Sequence, residues 1–503
     1  MTSNSFYALT FKMIGLIMAM VLACRLTQDI AMGVIALIGM TFALMNQRGK
    51  ALVTYLIFPF LGIFNPLILP HAELYSIMAR LGTLGMTVAL MIAAVRSSGK
   101  ETVPLGGLYA FLGVAAVSSA QGWFPMISFL KLLNFLVFIS GLYIGTRNLH
   151  HRPEDIRLLR AVLFALAIIL VLGSLATLPF PAVAYITSLG YYVREGGVAY
   201  AETMFETNET SRITLFAGIT NHSQFLAPLL ACLNGWILCD MLLVEKRVEK
   251  LHLLLLLACP VLVYLTRSRV GFFGYAMSLV FVYLIILPRA ALPHSIRRRM
   301  STAMAALTLL LLLGTVVAEL QSQIVSRWLR KTDDVVADDR SLTQALTDSR
   351  KGGIERCWGE FIRSPLLGSG FQVIEEHRDA YAAGEISLFS APIEKGLLPL
   401  MVLGETGAVG LFVFFGFLAS FSYTCLRKRY VATLALFCCL FVTNMGEATF
   451  FAPSGGGGVL WMLTVAGGFL VDMTGVLARR SGGGLMGALP QPVRSGRSSR
   501  ERV

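Results

Sequence analysis

The sequence predicts an all-α fold: a polytopic transmembrane helix bundle of about fourteen spans, carrying one large loop on its outer side. Three observations predict it. Of 503 residues, 56% are hydrophobic and only 14% are charged, with a mean hydropathy of +0.70; a soluble domain carries about 25% charged residues. Apolar runs near the length of about 20 residues that crosses a bilayer follow one another along most of the chain. Lys and Arg gather in alternate connections between those runs, as the positive-inside rule requires of a membrane protein.

The runs fall near 7–24, 28–45, 51–69, 74–95, 105–122, 125–146, 159–178, 222–243, 251–266, 270–287, 301–319, 398–426, 431–450 and 459–477. They divide the chain into N-terminal spans (1–178), central spans (179–320), an outer loop domain (321–397), C-terminal spans (398–480) and a Gly/Ser/Arg-rich tail (481–503) expected to be disordered and cytoplasmic. The basic connections are Arg48/Lys50, Arg96/Lys100, Arg147 to Arg160, Lys246/Arg247/Lys250, Arg289 to Arg299 and Arg427/Lys428/Arg429, followed by the arginines of the tail. All fall on one side if both termini are cytoplasmic. Arg25 and the Arg267/Arg269 pair are the exceptions on the other side. The first run is a full span without a small-residue cleavage site, so no cleavable signal peptide is expected.

The net charge of +13 sits in these short loops and the tail, where it sets orientation and meets anionic lipid. No basic soluble domain is present to bind nucleic acid, and none is expected to be bound. Of the eight cysteines, all but Cys357 lie in apolar runs and none forms a Cys-x-x-Cys, so they read as small apolar core residues.

Four polar clusters stand out on the outer side. Thr266-Arg267-Ser268-Arg269-Val270-Gly271 joins two spans almost without a loop; its arginines either snorkel to lipid headgroups or clamp phosphate, and Gly271 permits a close backbone or ligand approach. Arg212 stands just before the span that begins near His222. The stretch 340–363, containing Arg356 and Trp358, reads as amphipathic helix on or near the outer membrane face, and Pro365-Leu366-Leu367-Gly368-Ser369-Gly370-Phe371 reads as a Pro/Gly turn. Finally, Glu394-Lys395-Gly396 and Leu403-Gly404-Glu405-Thr406-Gly407-Ala408-Val409-Gly410 place ionisable groups at the mouth of the bundle, as a local ion pair or as general-base candidates.

In this order, Arg212, Ser268-Arg269-x-Gly271, Arg356 with Trp358, Pro365 to Phe371 and Glu405-x-Gly407-x-x-Gly410 resemble the O-antigen ligase and polysaccharide polymerase superfamily, over about residues 205–430. The resemblance implies a GT-C-like glycosyltransferase of the bacterial inner (plasma) membrane, acting at its periplasmic face on glycan carried by undecaprenyl diphosphate, with membrane lipids around it and a flippase and chain-length regulator as partners. It implies that Arg212, Arg269 and Arg356 meet the diphosphate, to which the residues themselves add Arg267; Glu394, Glu405 and Lys395 are the candidates for catalysis. The ligases carry a His shortly before the Glu-x-Gly-x-x-Gly stretch. Here Glu394-Lys395-Gly396 occupies that region, and His377 lies too far upstream to replace it. The departure favours a polymerase-like branch over a ligase.

No cofactor and no metal are expected: Asp333-Asp334 and Asp338-Asp339 have no defined ligand geometry and read as a solvated acidic loop. The rival from another class is a transporter or lipid flippase, for which Asn444 and Glu447 in a late span are the best evidence. A membrane subunit without catalysis is the third possibility.

Overall fold

The computed structural model describes residues 3–27, 29–65, 67–69, 73–95, 103–147, 152–184, 192–195, 198–201, 216–220, 223–245, 249–266, 268–290, 298, 302, 342–374, 397–446, 449–453 and 455–474. These residues are helical apart from their connections and one antiparallel hairpin, in which Tyr192–Glu195 pairs with Val198–Ala201. In chain order the helices are α1 (Ser3–Thr27), α2 (Asp29–Leu44), α3 (Arg48–Leu61), α4 (Glu73–Val95), α5 (Gly106–Gln121), α6 (Pro125–Thr146), α7 (Pro153–Ala176), α8 (Pro181–Ala184), α9 (Ser223–Asp240), α10 (Lys250–Leu265), α11 (Arg269–Phe281), α12 (Leu342–Arg363), α13 (Leu398–Lys428), α14 (Val431–Thr443) and α15 (Gly455–Met462). Widened turns extend α9 through Met241–Glu245, α11 through Val282–Ile286 and α15 through Leu463–Gly468.

Among the described residues, seven helices are long and apolar enough to cross a membrane, accompanied by four shorter apolar ones. Each run read from the sequence coincides with a helix, except 301–319, which apart from Thr302 lies outside the described residues. Several helices are shorter than the runs that announced them. The run at 51–69 is helical only to Leu61, and the run at 431–450 only to Thr443. Part of the remainder, with Phe64, Asn65 and Phe450, joins Phe216, Thr220, Phe371 and Phe451 in a buried layer of non-helical chain at one end of the bundle. Buried irregular backbone must have its polar groups paired, and the bonds here show that pairing. Asn65 N donates to Ile219 O at 2.8 Å and the Asn65 side-chain amide to Val183 O at 2.8 Å, while Ala217 N donates to Ala184 O at 2.7 Å.

Glycines let the helices close around this layer. Gly271 of α11 lies so near α9 that a Cβ there would come 2.0 Å from the Ala227 Cβ, and one on Gly274 would come 2.4 Å from Thr443 of α14. Arg25, an exception to the one-sided charge pattern, has a local explanation. Its guanidinium donates to the carbonyls of Leu67 and Ile68.

The described residues of the basic connections lie at the opposite end. Arg152 donates to Asn46 O at 2.6 Å and Arg48 to Ala93 O at 2.7 Å. The Asp472 carboxylate accepts from Ala432 N at 2.9 Å and Thr433 N at 3.0 Å, capping the start of α14. Between them Arg160 grips Asp240 bidentately, Nε to Oδ1 at 2.8 Å and Nη2 to Oδ2 at 2.7 Å, and reaches Glu245 at 2.5 Å. The same guanidinium lies 4.5 Å from the Phe6 ring centroid, and His252 Nε2 stands 3.4 Å from Asp240 Oδ2. One ionic cluster thus ties α1, α7, α9 and α10.

Asp240 is fully buried, and removing one partner of such a pair costs about 3–5 kcal/mol, whereas replacing both by apolar groups is close to neutral. Arg160→Ala is therefore expected to lower the thermal midpoint in detergent sharply, and Arg160→Met with Asp240→Leu to recover most of it. Equal midpoints for wild type and Arg160→Ala would deny the cluster a structural role.

Candidate functional site

The layer at the end opposite the basic connections holds the candidate site. Its centre is a break in α13. Gly407 has φ 66° and ψ −168°, a conformation open to glycine alone. In an unbroken helix Ala408 N would donate to Gly404 O, and Val409 N to Glu405 O. Here the turn after α12 stands between each donor and its acceptor. Ala408 N donates to Pro365 O at 2.8 Å and Val409 N to Leu366 O at 3.3 Å; Ser369 N donates to Gly404 O and Gly370 N to Glu405 O, each at 3.0 Å. Two helical hydrogen bonds become four, and no main-chain group of the exchange is left over.

The glycines follow from this contact. A Cβ on Gly368, which has φ 73°, would fall 2.3 Å from the carbonyl carbon of Glu405. One on Gly407 would fall 2.3 Å from the carbonyl carbon of Leu366, and one on Gly410 would fall 1.9 Å from Thr406 Oγ1. The sequence showed Pro365 to Phe371 and Glu405 to Gly410 as two separate motifs; in the fold they are one unit.

Further side chains fasten the turn to the α5–α6 hairpin and to the loop after α14. Ser118 Oγ donates to Glu405 O at 2.6 Å, Ser128 Oγ to Phe371 O at 2.9 Å, and Lys131 Nζ to Gln372 O at 3.0 Å. Gln372, a non-glycine residue at φ 56°, donates its side-chain amide to Phe451 O at 3.0 Å. Beneath them Ser369 Oγ donates to Glu360 Oε2 at 3.2 Å, while Arg363 lies 5.9 Å from the Trp123 ring centroid.

The expected site residues distribute as follows. Glu405 is 1% exposed, inside the junction and not at a mouth of the bundle. Arg356, half-buried, lies one turn before Glu360 on the helix that packs against α13. Arg269 opens α11, held by Ser268, whose Oγ accepts from Gly271 N at 3.2 Å. Gly271 therefore admits a neighbouring helix, Ala227 of α9, as the close approach its residue type announced. Arg269 belongs to the same end of the bundle: its neighbour Val270 packs on Gly446, in the loop whose Phe451 meets Phe371 at 5.3 Å between ring centroids. Arg212, Arg267, Glu394, Lys395, Glu447 and the Asp333 to Asp339 cluster lie outside the described residues.

Sequence reasoning passed over Lys131 and Glu360, both buried. Lys131 carried a signal, since an ionisable residue inside an apolar run is a functional candidate by default; Glu360 was hidden in a helix already rich in charge. Asn444 proves to be a loop clasp: its amide donates to Leu440 O at 2.8 Å and its oxygen accepts from Thr449 N at 2.9 Å. All eight cysteines are free thiols, buried or, for Cys438, half-buried.

No protein-family model matches the chain, and no curated protein is significantly similar to it.

Gly407→Ala forces a side chain into a left-handed position that costs about 1–3 kcal/mol and drives it into the Leu366 carbonyl. Its thermal midpoint is expected to fall well below wild type. Gly416→Ala, on the same helix with nothing within 4 Å of its Cβ position, is expected to match or exceed wild type. Equal midpoints for the two variants would mean the break is not held by this contact.

Proposed function

We propose that the chain is a membrane glycosyltransferase that polymerises or transfers polyprenyl-diphosphate-linked oligosaccharide at the periplasmic face of a bacterial inner membrane, in exopolysaccharide, O-antigen or capsule biosynthesis. Its architecture would be GT-C-like, with about fourteen spans and both termini cytoplasmic. The observation that carries this proposal is the union of two motifs of the resemblance, Pro365 to Phe371 and Glu405 to Gly410, in one hydrogen-bonded junction. Arg356 stands on the adjoining helix and Arg269 at the same end of the bundle.

The chemistry suits these residues. A diphosphate departs well, so the enzyme chiefly needs positive charge where negative charge develops. Guanidinium groups of Arg212, Arg267, Arg269 and Arg356 supply it as phosphate-matching forks. Arg269 opens α11, at the positive end of a helix dipole, where an anion is favoured. A base takes the proton of the attacking sugar hydroxyl, and the anomeric carbon passes through an oxocarbenium-like state. Burial of Glu405 within the junction favours a structural carboxylate there and leaves Glu394, with Lys395 as its charge partner, as the base.

Broken helices also mark transporters, whose half-helix N-termini point at substrate. The break in α13 differs: the amides of Ala408 and Val409 are occupied by the chain's own turn. A ligase acting on a lipid or protein acceptor is the nearer alternative.

The test is turnover of purified, reconstituted protein on polyprenyl-diphosphate-linked oligosaccharide. Repeated chain lengthening is expected of a polymerase, and single transfer to an added acceptor of a ligase. Arg269→Ala is expected to abolish product while the protein stays in the membrane, and Arg269→Lys to keep part of the activity. Glu394→Gln should lower turnover by roughly 10²–10⁴-fold, the usual worth of general-base catalysis. Wild-type rates for Arg269→Ala and Glu394→Gln would remove both residues from the reaction, and absence of any glycan product from wild type would sink the proposal.

A further inference from the structure

The outward face of α12 has no protein partner of its own among the described residues, and its composition changes along its length. Lys351 and Glu355 form an exposed pair, Nζ to Oε1 at 3.8 Å. One turn on comes Trp358, 49% exposed, then Ile362 at 62% and, just past the helix, Leu366 at 68%. Spacings of four residues put Trp358 and Ile362 on one helical stripe.

That stripe joins another. After its break, α13 presents Val409, Phe412, Phe415, Tyr423 and Leu426 outward in helical spacing, all exposed. This helix of 31 residues is long and apolar enough to cross a membrane, so an outward apolar stripe along it faces lipid. Before the break none of its described residues is exposed, because α12 covers that part: Gly404 fits beneath Cys357 and Glu360. Leu366 and Val409 are adjacent through the hydrogen bond from Val409 N to Leu366 O. The apolar wall therefore passes from α13 to α12 at the junction, without interruption.

We infer that the Trp358–Ile362–Leu366 face of α12 is a lipid-binding surface, inserted into the leaflet at the junction end of the bundle. The order along α12 is the order of a bilayer boundary: charged pair at the headgroups, Trp at the interface, Ile and Leu in the hydrocarbon. A protein partner would leave the gradient from Lys351 to Leu366 and its continuity with α13 as coincidence; membrane lipid explains both. The helix then does two tasks, anchoring in the leaflet by one face and holding the turn in the α13 break by the other. The surface requires a membrane protein and nothing of glycosyl transfer.

The experiment uses the full chain in phosphatidylethanolamine/phosphatidylglycerol vesicles, with a nitroxide on Ile362→Cys or Glu355→Cys, and reads collision with oxygen, which concentrates in lipid, against a water-soluble nickel chelate. A reversal of the oxygen-to-nickel preference is expected, with oxygen favoured at 362 and nickel at 355. Nickel preference at both positions would place the face in water and overturn the inference. Shielding of 362 from both reagents would put a protein there, and overturn it as well. Tryptophan quenching by brominated lipid gives a second readout. Trp358→Phe, on an exposed side chain, is expected to lose part of the quenching seen in wild type; undiminished quenching counts against lipid contact.

Discussion

The fold at the junction end depends on an exchange of hydrogen bonds. Two bonds that α13 would make with itself are replaced by four to the turn at 365–370. The junction is buried, and each buried main-chain group left unpaired would cost several kcal/mol. The turn, once there, dictates its surroundings. Gly368 and Gly407 are required because backbone meets backbone without room for a Cβ. Ser118, Ser128 and Lys131 anchor it from the α5–α6 hairpin, and Gln372 hands it to the loop that carries Phe451. The position of α12, and of Arg356 on it, follows from the same attachment.

The helices were legible because apolar composition and length are local properties. The turn was legible as a turn, since Pro and Gly punctuate the chain there. What could not be read was that the turn and the Glu405 to Gly410 stretch, some forty residues apart, complete one another. Exchange of main-chain hydrogen bonds leaves only glycines as its trace in a sequence, and glycines have many other uses. For the same reason α3 and α14 read as longer than they are: Phe64 or Phe450 is as apolar in a buried loop as in a span. Arg160 read as part of a loop's positive charge, whereas its place against Asp240, some eighty residues on, makes it a member of the core. Of the candidate site residues, Arg269, Arg356 and Glu405 have described positions, and Glu405 is buried within the junction.

The two ends of the bundle solve different problems with charge. At the basic end, cations are paired with carboxylates and carbonyls of their own chain, as in the Arg160–Asp240–Glu245 cluster, and Asp472 caps the main-chain amides that open α14. At the junction end Lys131 is engaged with a carbonyl, and Arg269 stands where the helix dipole favours an anion. The asymmetry is one the proposed handling of a lipid-linked diphosphate would use, with internal ion pairs at one end and Arg269 and Arg356 near the junction at the other.

The exchange of hydrogen bonds at the α13 break is directly measurable by peptide-resolved hydrogen exchange on the purified full-length protein. The amides of Ser369, Gly370, Ala408 and Val409 are expected to exchange as slowly as those in the middle of α13, although they lie at a turn and a helix break. Exchange within seconds at these four positions, with the rest of α13 protected, would contradict the junction on which this description of the protein depends.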